Sequence, residues 1–261
     1  MIVERAYKII VRTIEPLRIG AKRDPLSGAD NPVTRVGGAL AIPGSSLKGA
    51  LRYQIESYLI DKFFQAGRWQ VGKEDWRPCI PGAEVSHDER RLIREGKYRD
   101  QSRTCHYPCT DRECKQQVHS ICPACYLLGA MTLPGFVRTP FLFAEGGSNE
   151  LFSLRLDRAT KAVPQIGRGG PTRTYEVVPQ DVPFSGTLHV AVEDTVSGWR
   201  LGHPRQLGED RTRGDKWLEG QPYEADTFLR EFLLDRLAAI RTIGGYRSKG
   251  FGRIHIEAVA T

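Results

Sequence analysis

The 261-residue sequence contains no apolar run approaching the ~20 residues that a membrane-spanning helix needs. It shows no internal repeat and no low-complexity tract. Its first residues, Met1-Ile2-Val3-Glu4-Arg5, lack the charged-then-apolar layout of a secretory signal. These absences argue against a membrane protein, a secreted disulfide scaffold and a coiled coil, and they lead us to expect a cytoplasmic, reducing setting. What is present is ordinary for a globular chain: 40% hydrophobic and 26% charged residues. A chain of this size buries a full core without covalent staples. Lys+Arg of 38 against Asp+Glu of 31 leaves a net charge of +7. That balance favours a polyanionic partner, through phosphate neutralisation and counterion release.

The pattern along the chain predicts an α+β fold. Residues 2–14 are β-branched-rich and read as a first strand. Residues 18–44 hold Gly and Pro with little periodicity and read as a long loop. Ser45 and Ser46 open an amphipathic helix carried by Leu47, Leu51, Ile55, Leu59 and Phe63. Residues 67–126 are polar and cysteine-bearing, and predict an inserted subdomain around a metal. Phe136–Ala144 and Leu151–Leu156 read as strands, 157–183 as a projecting hairpin, Thr187–Val192 as a strand and 196–224 as a loop-rich insertion. Ala225–Thr242 is the strongest helix, and Arg253–Val259 closes as a strand. The order resembles a ferredoxin-like core with large insertions, a single domain over 1–261.

Three constellations carry chemistry. Gly244 to Gly252 places four glycines in nine residues around Arg247, Ser248 and Lys249, a composition that aims backbone N–H groups at an anion. It is neither a Walker loop nor a dinucleotide fingerprint, because it follows a helix and precedes a strand. Ile42-Pro43-Gly44-Ser45-Ser46-Leu47-Lys48-Gly49-Ala50-Leu51-Arg52 sets Ser45, Ser46 and Lys48 in a first helical turn, where free N–H groups and the dipole favour phosphate. A glycine turn or a serine cap alone would have only a structural role. The third is the cysteine cluster: five of six cysteines fall between Cys105 and Cys125 in the spacing C-x3-C-x4-C-x7-C-x2-C. That concentration points to structural zinc held by Cys122, Cys125 and Cys114, with a fourth ligand among Cys105, His106, Cys109 and His119; we take Cys109 as the fourth.

Together, Ile42–Gly49, Gly245–Arg253 and Cys122-Pro123-Ala124-Cys125-Tyr126-Leu127-Leu128-Gly129 resemble the signatures of the RAMP superfamily, most nearly the repeated backbone subunit of type III CRISPR effector complexes. The resemblance implies an RRM-like fold and copies that stack along a CRISPR guide RNA beside other effector subunits. It also implies a hairpin thumb, by position 157–178, that interrupts the guide–target duplex, with Arg158, Lys161, Arg168 and Arg173 on RNA phosphates. It implies RNA contacts from Ser45, Ser46, Lys48, Arg52, Arg247, Ser248 and Lys249 as well. In that branch a loop aspartate cuts the complementary target RNA, and Asp30 in Gly28-Ala29-Asp30-Asn31-Pro32 occupies its place, as base or as ligand of a divalent cation such as Mg2+. Asp before Asn-Pro is also a common turn residue. Arg35 is a candidate to steady the phosphate. Other members of the superfamily bind guide RNA without cutting, or process precursor guide RNA with a histidine near the N-terminus. Here the first histidine is His87.

Overall fold

The computed structural model describes residues 1–20, 31–82, 84–100, 105, 121–154, 172–207 and 212–261. In chain order the elements are β1 (Ile2–Thr13), β2 (Arg35–Val36), β3 (Ala39–Ile42), α1 (Gly44–Phe63), β4 (Phe64–Gln65), β5 (Arg68–Trp69), α2 (His87–Arg94), α3 (Pro123–Leu128), β6 (Val137–Arg138), β7 (Leu142–Ala144), β8 (Asn149–Leu154), β9 (Thr172–Val177), β10 (Pro183–Asp194), β11 (Trp199–Arg200), β12 (Gln206–Leu207), β13 (Thr212–Arg213), α4 (Ala225–Leu229), α5 (Asp235–Ala239) and β14 (Ile254–Ala260). A π turn over Arg230–Leu234 joins α4 to α5 in one helical rod.

The main sheet is antiparallel and eight-stranded. Its path is β14-β1-β10-β7-β3-β2, with β6 and β11 pairing onto β10. Alternation in β1 sets its register: Tyr7, Ile9, Val11 and Thr13 are buried, whereas Lys8 and Arg12 face solvent. Helix α1 presents Leu47, Leu51, Ile55, Leu59 and Phe63 in a stripe spaced by four, and packs on α3 and α5. Each such side chain contributes roughly 1.5–3 kcal/mol on full burial.

Two stretches read as loops from sequence are more ordered than expected. Within 18–44, β2 and β3 form a hairpin whose two-residue turn is Gly37-Gly38, both at positive φ (58° and 84°). Two such residues in succession require glycine or its few substitutes, so composition that signals a loop here makes a hairpin. Within 196–224, the Arg205 guanidinium forms a bidentate pair with Asp215 (2.9 and 3.1 Å), both side chains fully buried. Trp217 and Leu218 of the same stretch are buried in the core.

The described part of 67–126 shares that core. Trp76 lies against Phe63 (4.9 Å between centroids) and Trp217 (4.8 Å), and Tyr126 against Trp217 and Phe228. The expected strand over Phe136–Ala144 is two short strands, β6 and β7. Strands β8 and β9 pair from Asn149↔Val177 to Leu154↔Thr172. Most of the expected hairpin projection, 155–171, lies outside the described residues. No helix among the described residues is long and apolar enough to cross a membrane.

Candidate nucleic-acid interface and metal centre

The first turn of α1 and the glycine-rich loop, nearly 200 residues apart in sequence, line one cleft of about 460 Å³. Ser45, Ser46, Gly49, Ala50, Tyr53 and Gln54 supply one wall; Ile240, Thr242, Ile243, Gly244 and Arg247 supply the other. Pro43 precedes the helix and its carbonyl accepts from Ser46 N–H (2.9 Å), and the first turn carries no acidic residue. Nothing there opposes the positive end of the helix dipole.

The loop is held by backbone contacts to the segment after β1. Gly244 has φ +85°, and a Cβ there would stand 2.4 Å from the Arg18 carbonyl oxygen, so only glycine fits. Gly245 N–H donates to that carbonyl (2.9 Å) and Gly252 N–H to the Pro16 carbonyl (2.9 Å). Arg247 donates through Nε to Gly244 O (3.2 Å) and is exposed, as are Ser248 and Lys249. Lys48 is exposed on α1 but does not line the cleft.

A second cluster ties the loop to the β8–β9 pair. The Arg18 guanidinium lies 4.6 Å from the centre of the Tyr246 ring and 6.0 Å from that of Tyr175. The same group donates to Asn31 Oδ1 (3.0 Å), one residue after Asp30. Lys249 joins the cluster from the loop itself, with Nζ 4.7 Å from the centre of the Tyr246 ring.

Glu176 of β9 braces the chain that follows Asp30. Its carboxylate accepts from Val33 N–H (2.9 Å), from Arg35 Nη2 (3.2 Å) and from the Ser148 hydroxyl. Burial opposes ionisation, but these donors outweigh it and hold the Glu176 carboxyl below its ordinary range. Arg35, a candidate for steadying a phosphate, is thus engaged with Glu176, Ser148 and the Gly38 carbonyl.

The second site is a cluster of four buried cysteines, Cys79, Cys105, Cys122 and Cys125, whose sulfur atoms all lie within 4.8 Å of one another. Tetrahedral zinc with Zn–S bonds of ~2.3 Å needs sulfurs ~3.8 Å apart, so the donor set fits structural zinc. Cys122 caps α3, its sulfur accepting from Cys125 N–H (3.5 Å), which builds the C-x2-C knuckle. Burial opposes ionisation of Cys122, but the surrounding thiols and Arg52 draw its pKa well below the usual thiol range. Arg52 donates to Cys79 Sγ (3.3 Å), Cys125 Sγ (3.4 Å) and the Cys79 carbonyl (2.9 Å), and Arg99 Nη1 lies 3.7 Å from Cys105 Sγ. Four thiolates on a divalent ion would carry a net charge of −2, and the guanidinium groups of Arg52 and Arg99 lie where they offset it.

Several expected residues are placed differently or not at all. Arg52, expected on RNA, turns inward to the cysteines and pairs with Glu56 (2.6 Å), because one turn of helix brings both over the cluster. Cys122 and Cys125 lie together in the cluster. Cys79 joins them from outside the dense run of cysteines, a position that spacing could not single out. Cys109, Cys114, His106, His119, Asp30, Arg158, Lys161 and Arg168 lie outside the described residues. Arg173 is on β9. Arg18, Tyr175 and Glu176 were missed, since isolated residues of these types carry no motif.

The chain matches the sequence model of the RAMP superfamily over residues 10–255 and belongs to that superfamily. None of the curated proteins compared with it matches. RAMP membership is consistent with a CRISPR-associated, RNA-binding function.

Proposed function

We propose that this protein is the RNA-binding backbone subunit of a type III CRISPR ribonucleoprotein, stacking in several copies along the guide RNA. The observation that carries the reading is the cleft in which the first turn of α1 meets the glycine-rich loop, two anion-binding elements on one surface. The strand order β14-β1-β10-β7, with α1 between β1 and β7 and the α4–α5 rod between β10 and β14, supports a ferredoxin-like, RRM-like core. Ser45, Ser46, Arg247, Ser248, Lys249 and Lys48 contact guide phosphates, and Arg158, Lys161, Arg168 and Arg173 belong to a thumb over the duplex. Structural zinc occupies the cysteine cluster, and the assembly works in the cytoplasm.

Asp30 cuts the complementary target RNA. Its carboxylate takes the proton of a 2′-OH, that oxygen attacks the adjacent phosphorus, and the 5′-oxygen leaves with a proton from water, giving a 2′,3′-cyclic phosphate and a 5′-hydroxyl. A divalent cation such as Mg2+ would supply charge neutralisation at the phosphate. Arg18 and Glu176, which hold Asn31 and Val33, position the chain next to Asp30.

The test is to purify the tagged protein from its own cells and sequence the RNA that accompanies it. Short RNAs of uniform length sharing a repeat-derived tag are expected; no RNA, or a heterogeneous mixture, would overturn the reading. Asp30→Ala in the assembled complex should abolish target cutting and keep guide binding. Undiminished cutting would leave a structural, non-cleaving subunit.

A further inference from the structure

Gly49 sits in the interior of α1, where glycine is the least favourable residue after proline. Its φ is not positive, so the backbone does not require glycine. A Cβ built there meets no heavy atom of the described residues within 4 Å, so none of these neighbours requires glycine either. Gly49 lines the cleft, with Ser45 one turn before it and Tyr53 one turn after it on the same helix face. Tyr53 is 63% exposed and makes no hydrogen bond or ring contact among the described residues. A bare backbone beside an unpartnered aromatic ring suits close approach by a flat ligand with a bulky backbone.

We propose that Gly49 and Tyr53 form a nucleotide-stacking site for single-stranded RNA. The ribose–phosphate chain passes against Gly49, and one base stacks on the Tyr53 ring. The inference rests on the RNA-binding reading above and adds to it where a base is held. Tyr53 lies ~12 Å along the helix axis from Ser45, at 1.5 Å per residue. That span suits a phosphate at the first turn with a base further along, rather than a phosphate alone. Every base has a π-face, so the site tolerates sequence. A duplex would not serve, because its base faces are already covered.

The experiment measures binding of the full chain to a labelled single-stranded RNA of mixed sequence, by fluorescence anisotropy at fixed salt, alongside thermal unfolding. Tyr53→Ala should weaken binding about tenfold, within the range found for base–aromatic stacking, and Tyr53→Phe should bind like the wild type. Gly49→Ala should weaken binding several-fold while its melting temperature stays the same or rises. A lower melting temperature for Gly49→Ala would show that the fold itself needs glycine, and would overturn the proposal. Wild-type affinity in both Gly49→Ala and Tyr53→Ala, with weakened binding in Arg247→Ala, would overturn it and leave the RNA-binding reading standing. No binding by the wild-type chain would overturn both.

Discussion

The sulfur of Cys79 lies 3.4 Å from that of Cys125, although 46 residues separate them in the chain. With Cys105 and Cys122 they close a donor set that joins the two ends of the polar insertion. We expect one zinc per chain by elemental analysis, lost in Cys79→Ser and retained in Cys109→Ser and Cys114→Ser. The reverse pattern would assign the site to the other cysteines. Chelation should release the metal and cost stability, because such binding energy is folding energy.

Arg52 divides the metal reading from the RNA reading. Its guanidinium contacts Cys79 and Cys125, and the neighbouring thiolates and Glu56 raise its pKa against the effect of burial. Arg52→Gln should weaken zinc binding by about 10–100-fold, the range for residues that support metal ligands. The salt dependence of RNA binding should stay as in the wild type, because the side chain does not face the cleft. A shallower slope of log affinity against log salt would instead place Arg52 on a phosphate.

The Arg205–Asp215 pair tests the second insertion. Both side chains are fully buried, and Asp215 also accepts from Arg205 N–H (2.9 Å). Asp215→Ala leaves a buried cation unpaired and should cost about 3–5 kcal/mol in denaturant unfolding. A loss below about 1 kcal/mol, the range of an exposed pair, would mean that this stretch opens to solvent at little cost.

Glu176 gives a pH dependence of definite sign. Its folded pKa lies below its ordinary value of 4.5. The contribution is therefore full above pH ~4.5 and is lost as pH falls through the depressed folded value. Protection of the Val33 amide against hydrogen exchange should fall over that acid range in the wild type. In Glu176→Gln it should show no such step. An identical acid step in the variant would rule out Glu176 as its source.

The regular parts of the fold were legible because their side chains repeat with the period of their backbone. Tyr7, Ile9 and Val11 alternate in β1, and Leu47 to Phe63 recur every four residues in α1. The Gly37-Gly38 hairpin was not, since the same glycines serve loops and tight turns alike. Both walls of the cleft were visible as motifs, but their meeting is a tertiary fact. The place of Cys79 beside the other thiols, and the turn of Arg52 toward them rather than toward RNA, were hidden for a related reason: a contact made with a distant segment leaves no local spacing to read.

Arg52 and Tyr53 are consecutive residues of α1, one turned to the cysteines and the other to the cleft. Successive residues of a helix point ~100° apart. A rod cannot roll at one of them without rolling at the other. The contact of Arg52 with the buried thiols and the placement of Tyr53 at the cleft thus share a single angular coordinate, and whatever fixes the first constrains the second.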